Sequence, residues 1–86
     1  MEKSFRDKVL EAVSMIPRGK VLSYAEVARI AGSPRAFRVV GTILRSNRDY
    51  KNIPCHRVIK SDGSTGEYNR GPKMKRKLLI NEGVAL

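Results

Sequence analysis

Cys55 and His56 stand side by side as the only cysteine and the only histidine of the chain, between Pro54 and Arg57. A thiol attacks as its thiolate, which an unassisted cysteine populates only slightly at neutral pH, so a neighbouring base or cation is what makes it reactive. The pair supplies the parts of an activated nucleophile. It also fits a plainer role, since a lone cysteine commonly packs as a small buried hydrophobe and a lone histidine commonly serves as a hydrogen-bond partner. A single cysteine excludes an intramolecular disulfide, and one cysteine with one histidine lacks the ligand set of a structural zinc site, so no metal and no cofactor are expected.

Several helices must position this pair. Ser4 with Asp7, followed by Phe5, Val9, Ala12, Val13 and Ile16, predicts a capped amphipathic helix that ends before Pro17. Val21 and Leu22 form a brief apolar stretch that suits extended backbone. Ser23 and Glu26 have capping-box spacing, and Val27, Ala28, Ile30 and Ala31 give a second short helix an apolar face before Gly32 stops it. Ser33 then suits an N-cap and Pro34 a first helical position, with Phe37, Val40 and Leu44 on the core side of a third helix reaching about Ser46. Arg35, Arg38, Thr42 and Arg45 fall on its opposite side. Two helices around a glycine turn make a helix-turn-helix pattern.

After the polar connection from Asn47 to Asn52, the Cys55 segment reads as extended, so adjacent side chains would point to opposite sides. Val58 to Lys60, the turn Ser61-Asp62-Gly63 and Ser64-Thr65 predict a small β hairpin or wing. A loop from Gly66 through Glu67 to Gly71 leads into a last helix from Pro72, closed by Asn81-Glu82-Gly83. The expected fold is mainly α with a small hairpin, a winged helix-turn-helix-like single domain over residues 1–86. A chain this short buries roughly 60–65% of its unfolded surface, enough for one modest core.

Lysine and arginine number 18 against 8 aspartates and glutamates, a net charge of +10 that makes nucleic acid the leading partner. An arginine-rich helix face is often only solvated surface; this charge background favours binding. No apolar run has the length of a membrane span, and an intracellular protein, monomeric and without membrane contact, is expected.

Taken together, Gly19-Lys20-Val21-Leu22-Ser23-Tyr24, Gly32-Ser33-Pro34-Arg35-Ala36-Phe37-Arg38-Val39-Val40-Gly41, Asn47, Ile53-Pro54-Cys55-His56-Arg57-Val58-Ile59, Ser61-Asp62-Gly63, Gly66, Tyr68, Leu78-Leu79 and Glu82-Gly83 resemble the C-terminal domain of the O6-alkylguanine-DNA alkyltransferases. That domain binds DNA and carries the active site. The resemblance implies DNA repair by a single-turnover methyltransferase, in which a base is flipped from the duplex and its O6-alkyl group passes to Cys55. It implies His56 as base through a bridging water, Glu82 orienting the imidazole, and Asn47 bracing the turn before the active-site segment. It further implies Arg38 as an intercalating finger and Tyr24 as a contact to the rotated phosphate and base. Arg35, Thr42, Arg45 and Arg57 would make further DNA contacts, and Pro54, Tyr68 and Asn69 would line the substrate pocket. The implied partner is double-stranded DNA holding O6-alkylguanine, approached from the minor groove without strong sequence preference.

Two alternatives accompany that reading. The N-terminal domain usual in full-length alkyltransferases has no room here, as in the alkyltransferase-like proteins, which bind the lesion and pass it to excision-repair proteins. Those relatives commonly replace the cysteine that this chain keeps. A winged helix-turn-helix regulator is the other alternative, though the third helix offers Arg35 and Arg38 but no Asn or Gln before Asn47 for reading bases. Two departures from the family pattern stand out: Arg48 to Asn52 is unusually polar, and Asn69-Arg70 replace smaller residues.

Overall fold

The structure, a computed structural model, describes residues 3–66 and 68–86; Glu67, in the loop expected before the last helix, lies outside the described residues. Helix α1 spans Phe5–Ser14, with the Ser4 hydroxyl accepting from the Asp7 amide at 3.1 Å and with Val9 and Val13 fully buried. Strand β1 is Leu22–Ser23, and α2 follows at once as Tyr24–Ile30. The capping box forms: Ser23 Oγ accepts from the Glu26 amide and Glu26 Oε1 accepts from the Ser23 amide, both at 3.0 Å.

Helix α3 spans Phe37–Arg45, starting later than its sequence suggests. Ser33 is not its cap. The Ser33 amide donates to the Ala28 carbonyl at 2.9 Å and the Gly32 amide to that of Arg29 at 3.0 Å, closing α2 with Gly32 at φ +95°. Ser33 to Ala36 then form a separate turn, closed by the Ala36 amide on the Ser33 carbonyl at 2.9 Å. Within α3, Val40, Ile43 and Leu44 are buried as a core stripe, but Phe37 is 45% exposed. Phe37 lies at the margin of the stripe, in the first helical turn, and opens onto the cleft described below.

The hairpin expected after Cys55 is also replaced. Strand β2, Val58–Ile59, pairs in parallel with β1, Leu22 against Val58 and Ser23 against Ile59. The following turn folds back, with the Gly63 amide on the Lys60 carbonyl and the Lys60 amide on the Ser64 carbonyl, both 3.0 Å, yet Ser64 and Thr65 form no strand. A parallel pair requires a crossover, and α2 with α3 supplies it. The seam joins the start of α2 to the residues just after Cys55. Helix α4, Pro72–Asn81, completes the fold. Side chains from α1, α2 and α3 meet Cys55 and Val58 in one core. Among the described residues no helix is long and apolar enough to cross a membrane, and no group of three or more His, Cys, Asp or Glu could hold a metal ion.

Candidate active site

The nucleophile segment is folded more tightly than extended backbone. Pro54, at φ −78° and ψ 70°, centres an inverse γ-turn closed by the Cys55 amide on the Ile53 carbonyl at 2.8 Å. Cys55–Arg57 form one turn of 3₁₀-helix, closed by the Arg57 amide on the Pro54 carbonyl at 2.9 Å. Proline suits this position because its ring already fixes φ. Asn47, 5% exposed, braces the approach: its Nδ2 donates to the Ile53 carbonyl at 3.1 Å and its Oδ1 accepts from the Asp49 amide at 3.0 Å.

Cys55 is only 4% exposed. It is nevertheless not sealed, because it lines a cleft of about 1280 Å³ whose walls include Tyr24, Phe37, Arg38, Thr42 and Tyr68. That volume exceeds the usual range of small-ligand pockets and admits a nucleobase. Arg38, Thr42 and Arg45 sit on the α3 wall of this cleft, and Asn69 on the facing loop. Arg35 lies in the turn before α3, against a separate shallow depression with Ser33, Pro34 and Ala36. Pro54 is buried behind Cys55, shaping the backbone without lining the cleft.

Behind Cys55 lies an ion-pair clamp. Glu82, the C-cap of α4, accepts from His56 Nε2 at 2.9 Å on Oε2, while Arg57 Nε and a terminal guanidinium nitrogen reach its two oxygens at 2.9 Å each. Another Arg57 nitrogen donates to the Ile16 carbonyl at 2.7 Å. Arg57, expected to contact DNA, is engaged here in an internal clamp, where bidentate pairing satisfies a carboxylate withdrawn from solvent. Hydrogen bonds from Arg57, seconded by His56, hold the Glu82 carboxyl down to about 2 against the opposing effect of burial. The carboxylate is therefore ionised at neutral pH and accepts the Nε2 proton. With Nε2 so engaged, Nδ1 is the ring nitrogen left to accept a proton.

Tyr68 stands edge-on to His56, with centroids 6.3 Å apart, and its buried hydroxyl has no hydrogen-bond partner among the described residues. Burial pushes the Tyr68 phenol up, as does the proximity of Cys55; nearby Arg70 opposes the shift without reaching hydrogen-bond geometry. A buried donor without a partner is costly unless something else arrives to accept from it. Asn69 instead serves as a brace, its Nδ2 donating to the carbonyls of Leu44 at 3.1 Å and Asn47 at 2.9 Å.

A model of the 6-O-methylguanine DNA methyltransferase family, DNA binding domain, matches residues 4–84. The chain belongs to that family. Over 83 residues it is 51% identical to a methylated-DNA-protein-cysteine methyltransferase of Methanothermobacter thermautotrophicus, covering 95% of this chain and 46% of that protein. It spans about half the length of the curated methyltransferases it matches. The fold superposes on Mycobacterium tuberculosis OGT in complex with DNA with a TM-score of 0.89 at 37% identity, over 96% of this chain and 51% of that one. For Schizosaccharomyces pombe Atl1, in complex with damaged DNA containing O6-carboxymethylguanine, the TM-score is 0.85 at 35% identity, over 99% of this chain and 82% of that one. The fold is thus that of the family's helix-turn-helix-like DNA-binding domain.

Within this family member, sequence reasoning missed Lys75. Its side chain is fully buried, and Nζ donates to the Tyr24 hydroxyl at 3.3 Å while lying 5.5 Å from the centre of that ring. Burial lowers the Lys75 ammonium to about 8, with Lys60 adding to the shift and a thiolate at Cys55 opposing it. Lys75 shares a helix face with Leu79 and Glu82, at spacings of four and seven residues. That spacing was the available signal.

Proposed function

We propose that the protein transfers the alkyl group of O6-alkylguanine in DNA to Cys55, once per molecule. The carrying observation is a lone thiol lining a cleft wide enough to admit a nucleobase, next to a histidine whose Nε2 is engaged by an ionised Glu82. The thiol proton passes through water to His56 Nδ1. Sulfur then forms a bond to the alkyl carbon, the carbon–O6 bond breaks, and its electron pair is left on guanine, which takes up a proton. The unpartnered Tyr68 hydroxyl suits that developing charge as a donor toward O6. Lys75, buried beside Tyr24, places a positive charge under the same cleft.

The base reaches the cleft by leaving the duplex, at a cost of a few kcal/mol in stacking and pairing. Arg38, exposed on the cleft wall of α3, fills the vacancy with its planar guanidinium. Duplex DNA is approached through the minor groove by the basic face of α3. No base-reading set of Asn or Gln projects from this helix, which disfavours the regulator. Lesion recognition without transfer is the second reading, favoured by the similarity to Atl1 over most of that chain. In it the lesion would be handed to excision-repair proteins.

Incubation with a duplex containing O6-methylguanine, followed by intact-protein and peptide mass measurement, separates the readings. Gain of one methyl on Cys55, absent in Cys55→Ala that still binds the duplex, is the expected outcome. Unmodified protein retaining the duplex would overturn transfer in favour of the second reading.

A further inference from the structure

The geometry points to Tyr50 and Arg70 as positioning residues that fix the angle of the Tyr68 ring over the cleft. Because the Tyr68 hydroxyl is unpartnered among the described residues, no hydrogen bond there sets where the phenol points. Ring contacts do so instead. Tyr50 meets Tyr68 edge-on with centroids 6.0 Å apart and planes at 63°, while His56 meets it at 6.3 Å and 70°. Tyr50 is in turn covered by the Arg70 guanidinium, 5.0 Å from its ring centre. Arg70, Tyr50, Tyr68 and His56 thus form a continuous stack from the surface to the residue beside the nucleophile.

Chain geometry makes the stack a closure. The Gly71 amide donates to the Tyr68 carbonyl at 3.0 Å, so the backbone turns between these residues and brings Arg70 back across Tyr50. Asn69, between them, ties the same loop to the Leu44 and Asn47 carbonyls. Asn69 holds the loop's backbone; Arg70 and Tyr50 hold its ring. Neither Tyr50 nor Arg70 lines the cleft, so they act on substrate only through Tyr68. A cation over an aromatic face and an edge-to-face ring pair are each attractive, and together they bias one ring orientation.

This inference rests on the transfer reading for its rate effects and on the free protein for its structural effects. Four proteins decide it: Tyr50→Ala, Tyr50→Phe, Arg70→Gln and the double variant Tyr50→Ala/Arg70→Gln, each verified as folded by thermal melting, with Tyr50→Leu replacing Tyr50→Ala if that variant does not fold. Single-turnover transfer is measured at saturating O6-methylguanine duplex, alongside the duplex dissociation constant and its salt dependence. Tyr50→Ala is expected to slow the saturated step about tenfold through misplacement of Tyr68, with affinity changed less than about twofold. Tyr50→Phe restores the rate, since it keeps both face and edge. The double variant is expected to lose less than the sum of the two single losses, because Arg70 and Tyr50 hold the same ring. Equal slowing by Tyr50→Phe and Tyr50→Ala, or additive losses, would overturn the assignment. So would a loss of affinity with a shallower salt dependence in Arg70→Gln, which would make Arg70 a phosphate contact. Should the wild-type protein accept no methyl group, the transfer reading fails separately. Hydrogen exchange at the Gly71 amide of the free protein then decides: faster exchange in Tyr50→Ala supports the stack, and unchanged exchange overturns it.

Discussion

At the scale of single residues, Lys75 and Cys55 illustrate opposite kinds of legibility. Cys55, His56 and Glu82 stood out because their types are rare or their motif distinctive, and the fold brings His56 and Glu82 together. Lys75 was hidden among Lys73, Arg76 and Lys77, where a basic run normally reads as a solvated face. Only its place on the Leu79 stripe betrays it. Burial there has a measurable sign. With the Lys75 ammonium lowered to about 8, the unfolded chain keeps a proton that the folded protein releases between about pH 8 and 10.4, so stability rises with pH across that window. By pH 9.5 the gain should approach about 2 kcal/mol in urea unfolding, and Lys75→Met should flatten the curve. A wild-type curve that falls from pH 8 to 9.5 would contradict the burial. Above pH 10 the raised Tyr68 phenol works the other way.

Elements come together where Glu82 ends α4. Its carboxylate ties that helix to the Cys55–Arg57 turn through His56 and Arg57, and Arg57 extends the tie to the Ile16 carbonyl beyond α1. The capping box at Ser23 and the helix positions other than the start of α3 were legible from spacing. The parallel seam was not, because two-residue strands carry no periodicity and their partner lies across two helices. Nor was the fate of Arg57, since an arginine beside a nucleophile reads equally well as a DNA contact or an ion-pair partner. Arg57→Met is expected to destabilise the fold by about 3 kcal/mol, read as a lowered Tm, because it leaves a carboxylate with side-chain exposure of 9% to His56 alone among its clamp partners. The wild-type clamp should fail in acid. Glu82 binds its proton less readily when folded, so its contribution is present above about pH 4.3 and is lost as pH falls toward about 2. In Arg57→Met the acid-labile component should shrink; an unchanged pH profile would show that the pair does not set the carboxyl's affinity for protons.

For the molecule as a whole, the charge of +10 was plain from composition, but the side that concentrates function was not. The cleft is assembled from α2, α3, the Cys55 turn and the loop at Tyr68, which lie far apart in sequence, so its volume could be known only after folding. The family pattern pointed to Tyr24, Arg38, Cys55 and Tyr68 among the residues that line it; it gave no hint that Tyr50 and Arg70 meet. Affinity for undamaged duplex should fall roughly 10²–10³-fold between 50 and 200 mM salt if about five phosphates are engaged. The same titration on Arg38→Ala should lose preference for the lesion while keeping most of the slope. A parallel loss on both duplexes would make Arg38 a phosphate contact instead of a finger.

The seam between Leu22–Ser23 and Val58–Ile59 places a tight limit on chain length. Only two residues, His56 and Arg57, separate the sulfur-bearing position from the strand, and side chains alternate sides along a strand. One inserted residue would either slip Val58 from its register with Leu22 or lengthen the 3₁₀ turn and carry the sulfur about 2 Å from its place. Variation in this interval can therefore proceed by exchanging side chains, never by lengthening the thread.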